Sequence, residues 1–429
     1  MFELGTFPVE RVAAGSTTRW SDGTLEVDLD ELSDLVLQDE QIPWASVELA
    51  NPGESVRIIN DYEIVEPRIK VEGKGQTFPA IAGRQPGPVG EGRTHALGGC
   101  AVVGCLEITE SAADDPGQVG GRARDRSPGF LDFKFIDKSG PGAVTHSGLL
   151  PTVCVTIQQA AGGSSEYWHN IAQQAFMRVS DRLAETTVGL TPPQVEVFDT
   201  TPKPGLPGVV AIWHLSSLEL YRGPYTKVGT AVYGITRAAP PWVLGPTELL
   251  DGAVAQTRSR MYTNNPLNLE MLRSHGQDWN YLACLAYTTN WSMEEEKAAV
   301  SGRVARTAKM LGAEGAMITT DVRGQRMVET MLTIQACEQE GIKVVFMSEE
   351  EDPEGGKAPP FLTSVPEAVA VVSTGTGGWA GPFPPVKRVL GAREPDQRWY
   401  GERPAVHGRY AVSHLADHYG YGNQSYADF

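Results

Sequence analysis

The sequence predicts an α/β protein, with an N-terminal β-rich domain followed by a C-terminal parallel-sheet, Rossmann-like α/β domain. Three observations carry this expectation. Residues 1–160 hold short runs with β-branched side chains on alternating positions, the period of a half-buried strand. The second half alternates apolar runs with helical patterns, the spacing of right-handed βαβ units and hence of a parallel sheet. At 429 residues the chain is also too long for one ordinary core.

The N-terminal strands read in order as TLEVD (24–28), SVRIIN (55–60), EIVEPRIKVEG (63–73), CAVVGCLEI (100–108) and LDFKFID (131–137). Pro67 interrupts the third and fits a bend or an edge, because it cannot donate to a ladder. The fourth is nearly continuous in apolar residues, as a buried strand would be. Between them, QPGPVGEGR (85–93) and SAADDPGQVGGRARDRSPG (111–129) have loop compositions. Over 166–186 the period changes: Ile171, Ala175, Val179 and Leu183 recur every four residues, with Phe176 beside them. Ser164 or Ser165 is the expected cap of that helix. The proline-rich TPPQVEVFDTTPKPGLPG (191–208) reads as a connector, so the expected divisions are 1–160, 161–205, 206–390 and a patternless tail, 391–429.

In the second half, VVAIWHL (209–215), NYLACLAY (280–287), AMITTD (316–321), IKVVFMS (342–348) and AVAVVS (368–373) read as strands. Helices are expected over 292–312 and 323–341. The first has Ser292 as N-cap, Glu295 at the capping-box position and Gly312 at its stop; the second closes on Gly341. Ligands of such sheets lie beyond the carboxyl ends of the strands, here TTNWS (288–292), TTDVRG (319–324), SEEED (348–352) and STGTGG (373–378).

A net charge of −17 argues against nucleic acid and anionic membrane surfaces as partners. No apolar run is long enough to span a bilayer, and MFELGTFPVERVAAG has no signal-peptide pattern. Five cysteines without such a signal fit a reducing cytoplasm. Several stretches offer chemistry beside a plainer structural reading. STGTGG could cradle an anion but lacks the P-loop lysine. HLADH (414–418) spaces two histidines for a metal without the glutamate of H-E-x-x-H. The acidic SEEEDPE (348–354) could hold a divalent cation, and the nine tryptophans a quaternary ammonium. In RTHALGGCAVVGC (93–105), the H-x4-C-x4-C spacing of His95, Cys100 and Cys105 matches no standard zinc framework, and on a strand the two cysteines fall on opposite faces and share a metal only across a bulge. One thiol facing a cleft near His95 and plain burial both stay open there.

ANPGESVRIINDYEIVEPRIKVEG (50–73), FPAIAG (78–83), THALGGCAVVGC (94–105), SGPGA (139–143), ELLDGAV (248–254), NNP (264–266), HGQDWNYL (275–282), AKMLGAEGAMIT (308–319) and EGIKVVFMS (340–348) together resemble one family. It is the substrate-binding alpha/beta (component B) subunit family of the glycine, sarcosine and betaine reductases, matched collinearly to about residue 390. The resemblance implies a cytoplasmic oxidoreductase-complex subunit that binds a small amino-acid-derived substrate for cleavage of a C–N bond. It implies a gamma-type component B partner bearing a reactive cysteine or selenocysteine, and a thiol or selenol carrier protein. The resemblance also implies that glycine and sarcosine members cut themselves before an internal cysteine and carry a pyruvoyl group there. The matching interval here, DGAVAQTRSRMYTNNP (251–266), has no cysteine, and its one serine, Ser259, lies between Arg258 and Arg260. The expectation is an uncleaved chain without pyruvoyl or other cofactor or metal, and a substrate such as a betaine that needs no imine. His95 is expected to orient or protonate the substrate, Cys100 to wall the site or supply a thiol, and Asn264 and Asn265 to bond a carboxylate. Two other readings are a subunit recruited to other C–N, C–S or C–O chemistry with a thiol- or selenol-bearing partner, and a non-catalytic scaffold.

Overall fold

The computed structural model describes residues 1–81, 83–107, 135–139, 145–158, 165–215, 231–232, 241–255, 259–288, 293–320, 325–350, 361–374, 379–380, 382–403 and 406–407. The glycine turn beyond Thr374, the HLADH pair, Ser292 and the acidic run beyond Glu350 lie outside them. The chain is mixed α/β, with several sheets.

One four-stranded sheet runs in the order Trp44–Ala50, Thr152–Gln158, Ala101–Glu107, Asp61–Val65. Ala101–Glu107 pairs parallel with Thr152–Gln158 and antiparallel with Asp61–Val65. Its two faces feed two cores, as a two-residue period requires. Val102 and Leu106, with Cys100 just before the strand, pack on the helix Ser165–Glu185 side. Ala101, Val103 and Cys105 pack opposite, against Ile58, Ile136 and Leu390. The two cysteines therefore sit in separate cores. Ile171, Ala175, Phe176, Val179 and Leu183 are all buried on the inner face of that helix. Gly104 explains their close approach: a Cβ there would stand 2.4 Å from the Phe176 ring.

Pro67 divides Asp61–Val65 from Arg68–Glu72, and the two strands belong to different sheets. The second sheet has the order Gln194–Phe198, Phe2–Thr6, Gly92–Ala96, Arg68–Glu72. A proline at the crossing removes the one donor that neither ladder could use.

The six-stranded sheet of the second half has the order Trp242–Leu244, Asn280–Thr288, Gly208–Leu215, Gly315–Thr320, Lys343–Ser348, Val371–Ser373. All neighbours are parallel except the Trp242–Leu244 edge. Helices Glu294–Met310 and Gln325–Gln339 cover one face through Val304, Ala308, Met327 and Ile334. The first has Met293 as its N-cap, without a side-chain bond, and three glutamates in its first turn. It closes at Gly312, where Ala313 N–H reaches Ala308 O at 3.0 Å. The opposite face packs Trp213, Tyr262 and Met271 with Phe2, Leu4, Ala96 and Phe198, so one core joins this sheet to the second N-terminal sheet.

After Val371–Ser373 the chain returns to the first half. Arg388–Leu390 adds a parallel strand to Val56–Ile59, and Phe383 and Trp399 pack on Phe135. Residues 388–390 thus pair with an N-terminal sheet, and the start of the expected patternless tail is an ordered strap. The cause is Arg57, a fully buried guanidinium that needs acceptors. It pairs with Asp137 at 3.0 Å and donates to the carbonyls of Pro384, Trp399 and Gly401. Among the described residues no helix is long and apolar enough to cross a membrane.

Candidate functional site

The segment 61–72 is β-patterned yet carries Glu63, Glu66, Arg68 and Lys70, all bonded to the stretch 250–264. Arg68 donates through Nη1 to Leu250 O at 2.5 Å, and Lys70 pairs with Asp251. Asp251 also accepts from Thr94 Oγ1 at 2.5 Å and from Gly90 N–H at 2.7 Å. Glu63 accepts from Ser259 N–H at 2.6 Å, and Glu66 from the Asn264 amide at 2.9 Å.

Glu66 is the hub. It holds Arg68 at 2.9 Å and Arg260 at 3.6 Å, and accepts weakly from Gly99 N–H at 3.3 Å. Gly99 has a φ of +83°, open to glycine, which turns the backbone into Cys100. Burial raises the Glu66 carboxyl, but Arg68, Arg260 and Asn264 outweigh it and the net shift is downward. Its neighbour Glu63 lacks a cation; burial outweighs its hydrogen bonds and pushes it up to about 7. His146 stays neutral: burial first, then Arg260, brings it down to about 4.

A cleft of about 410 Å³ opens beside this cluster. Glu66, Arg68, Gly98, Gly99, Arg260 and Asn264 line it together with Gln194, Glu196 and Arg273. None of its lining residues is aromatic, so it offers no aromatic cage for a quaternary ammonium group.

The four residues singled out from sequence separate here. Asn264 lines the cleft. Cys100 lies one residue past the lining Gly99, but its thiol is buried and donates to Leu97 O at 3.3 Å. Burial pushes that thiol far up, which disfavours the thiolate, and Cys100 is not among the lining residues. His95 is not among the lining residues; its ring packs on Phe7 and its Nδ1 is 3.2 Å from Thr187 O. Asn265 is buried and caps helix Pro266–Arg273, accepting from Asn268 N–H at 2.9 Å. N-N-P is thus in part a helix start, an asparagine cap before proline at the first helical position. Glu63, Glu66, Arg68, His146 and Arg260 were missed. The available signal was five charged residues inside one strand-patterned run, EIVEPRIKVEG.

Ser259 is fully buried, and both its N–H and its hydroxyl bond Glu63. It is not among the residues lining the cleft. Among the described residues no group of three or more histidine, cysteine or acidic side chains is placed to hold a metal ion.

The family model for glycine/sarcosine/betaine reductase component B subunits matches residues 1–404. The sarcosine reductase complex component B subunit alpha of Peptoclostridium acidaminophilum is 30% identical over 407 residues, covering 91% of this chain and 89% of that one. The betaine reductase complex component B subunit alpha of the same organism is 29% identical over 419 residues, covering 91% and 88%. The glycine reductase complex component B subunits alpha and beta of Acetoanaerobium sticklandii are 26% identical over 407 residues, covering 91% and 88%. No solved structure matches. With nearly its whole length matched, and with its signature segments meeting around Glu66, the chain belongs to the family of glycine/sarcosine/betaine reductase component B subunits.

Proposed function

We propose that this chain is the substrate-binding subunit of a cytoplasmic glycine/sarcosine/betaine reductase-like complex, and that the Glu66 cleft holds a small amino-acid-derived substrate for C–N cleavage. One observation carries the reading: segments 63–70, 97–100 and 259–264, far apart in sequence, meet at one polar cleft. All five cysteines are buried, so the nucleophile is assigned to a gamma-type partner subunit bearing cysteine or selenocysteine. Its thiolate or selenolate attacks the substrate carbon; the C–S or C–Se bond forms as the C–N bond breaks, and the amine leaves with the bonding pair. A thiol or selenol carrier protein then receives the carbon unit. This chain's part is to bind and orient, with Asn264 and the arginines around Glu66 as contacts.

The chain is read as uncleaved and free of pyruvoyl, supported by the absence of cysteine in 251–266 and by Ser259 facing Glu63. Intact mass is the direct check. One species near 46.3 kDa is expected; two fragments meeting between 251 and 266 would restore the prosthetic carbonyl. Function is tested by co-purifying the chain with its partner and measuring amine release from glycine, sarcosine and betaine under a dithiol reductant. Asn264→Ala is expected to lose about 10-fold or more in kcat/KM. Unchanged rates with both Asn264→Ala and Glu66→Gln would remove the cleft from the reaction.

A further inference from the structure

We infer that the outer edge of the strand Gln194–Phe198 is the docking surface for the nucleophile-bearing partner subunit, which adds a strand there and covers Val195 and Val197. The inference rests on the cleft being the substrate site and on a partner supplying the nucleophile; it adds where that partner sits.

The edge is open. Gln194–Phe198 is the outermost strand of its sheet, and among the described residues it pairs with Phe2–Thr6 alone, antiparallel. QVEVF lacks the proline, lysine or bulge that commonly shields an edge. The strand's alternation gives it two faces. Gln194 and Glu196 line the cleft, while Val195 and Val197, on the opposite face, are 49% and 53% exposed. The apolar patch extends past the strand. Val195 pairs with Gly5, and a Cβ on Gly5 would meet Pro192 and the His95 ring at 3.0 Å. Thr187 O lies against that same ring. The turn that follows Thr187 therefore shares the face of Val195, and it carries Val188 and Leu190, 54% and 45% exposed. A contiguous exposed apolar patch of this kind marks an interaction surface.

Charge and position select the occupant. Two ion clusters flank the strand. Arg93 is shared by Glu3 and Glu72, and Arg273 by Glu196 and Glu270, so each cluster holds one carboxylate more than it balances. A second copy pairing antiparallel about the strand centre would set Glu196 against Glu196 and bring like-charged clusters together, which is destabilising. A different chain, with basic side chains beside an apolar strand, fits this edge. An added strand lies about 4.8 Å beyond Gln194–Phe198. It stands next to the cleft-lining Gln194 and Glu196, so a partner seated there holds its nucleophile beside the cleft.

The test uses the full-length chain and the purified gamma-type subunit. Association is followed by sedimentation velocity, and amine release is measured at saturating partner. The double variant Val195→Lys/Val197→Lys is expected to bind at least about 10-fold more weakly and to keep the wild-type kcat once saturated, since neither valine lines the cleft. Leu362→Lys, at an exposed apolar residue after Lys343–Ser348, is expected to bind as wild type. Wild-type affinity in the double variant overturns the docking surface and leaves the cleft and the partner in place. A wild-type chain that dimerises, with the dimer lost in the double variant, overturns the choice of occupant. No association between the wild-type chain and the gamma-type subunit removes the partner reading, and the surface with it. Should the strand variant fail to fold by circular dichroism, Leu190→Lys, in the turn outside the strand, decides by the same comparison of affinities.

Discussion

Replacing Glu63 by glutamine changes how the stability of this protein responds to pH. Burial pushes the Glu63 carboxyl from 4.5 up to about 7, opposed by hydrogen bonds from Ser259, Gln173 and the Ile64 N–H. Between those values the folded chain keeps a proton that the unfolded chain has released. Stability from this group is therefore full below about pH 4.5 and is lost as pH rises through 7. Across the window the loss is about 3 kcal/mol. His146 works in the opposite sense. Its folded value is lowered from 6.5 to about 4, chiefly by burial and then by Arg260, so between those values the unfolded chain binds the extra proton. Stability from His146 thus rises with pH over a window that overlaps that of Glu63. The two contributions largely cancel, and a flat wild-type profile carries no information. The variant separates them: glutamine keeps the shape of a protonated carboxyl and does not titrate. Urea unfolding of both proteins from about pH 4.5 to 8 should show Glu63→Gln gaining about 3 kcal/mol relative to wild type. Parallel profiles would refute the buried, cation-free placement of Glu63.

Other consequences follow from single contacts. Arg57→Leu leaves Asp137 buried without its partner and frees three carbonyls of the 382–403 strap; a loss of about 3–5 kcal/mol in unfolding and early protease cleavage in that strap are expected. Gly104→Ala places a Cβ 2.4 Å from Phe176, and denaturant unfolding should register about 1–3 kcal/mol of overpacking. All five thiols are buried, and burial raises Cys100, Cys105, Cys284 and Cys337, so a disulfide-exchange reagent should titrate none in the native chain and five after denaturation.

Periodicity made most of the elements legible, because it reflects burial directly. The helix Ser165–Glu185 buries the residues its four-residue repeat marked, and Pro67 marks the place where one strand run becomes two sheets. What stayed illegible was long-range. Nothing local in RVL (388–390) says that it pairs with Val56–Ile58, since the reason is the acceptor demand of Arg57 some 330 residues earlier in the chain, at sequence separations of 327 to 344. The site was half legible for the same reason. Cysteine, histidine and asparagine stand out as reactive types, so His95, Cys100, Asn264 and Asn265 drew attention. The charges within 63–70 were absorbed into a strand pattern that treats polar positions as solvent-facing. In a strand buried on both faces they are the exception, and a buried charge needs a partner from elsewhere.

Buried ion pairs are weak grounds for stability, since well-packed apolar residues often do as well. Two of the fully buried arginines, Arg57 and Arg68, therefore call for separate explanations, and the molecule supplies them. Arg57 places Nε, Nη1 and Nη2 on Asp137 and three carbonyls, and those contacts tie the C-terminal strap to the first half of the chain. Its work is mechanical. Arg68 holds Leu250 and Glu66 but leaves Nε open beside a cleft, next to a second guanidinium sharing the same carboxylate. A fold that needed only a tie at that point would close the fork, as Arg57 does. An incomplete fork at a cleft is what a binding site presents before its ligand arrives, and Arg57, with all three nitrogens engaged, presents none.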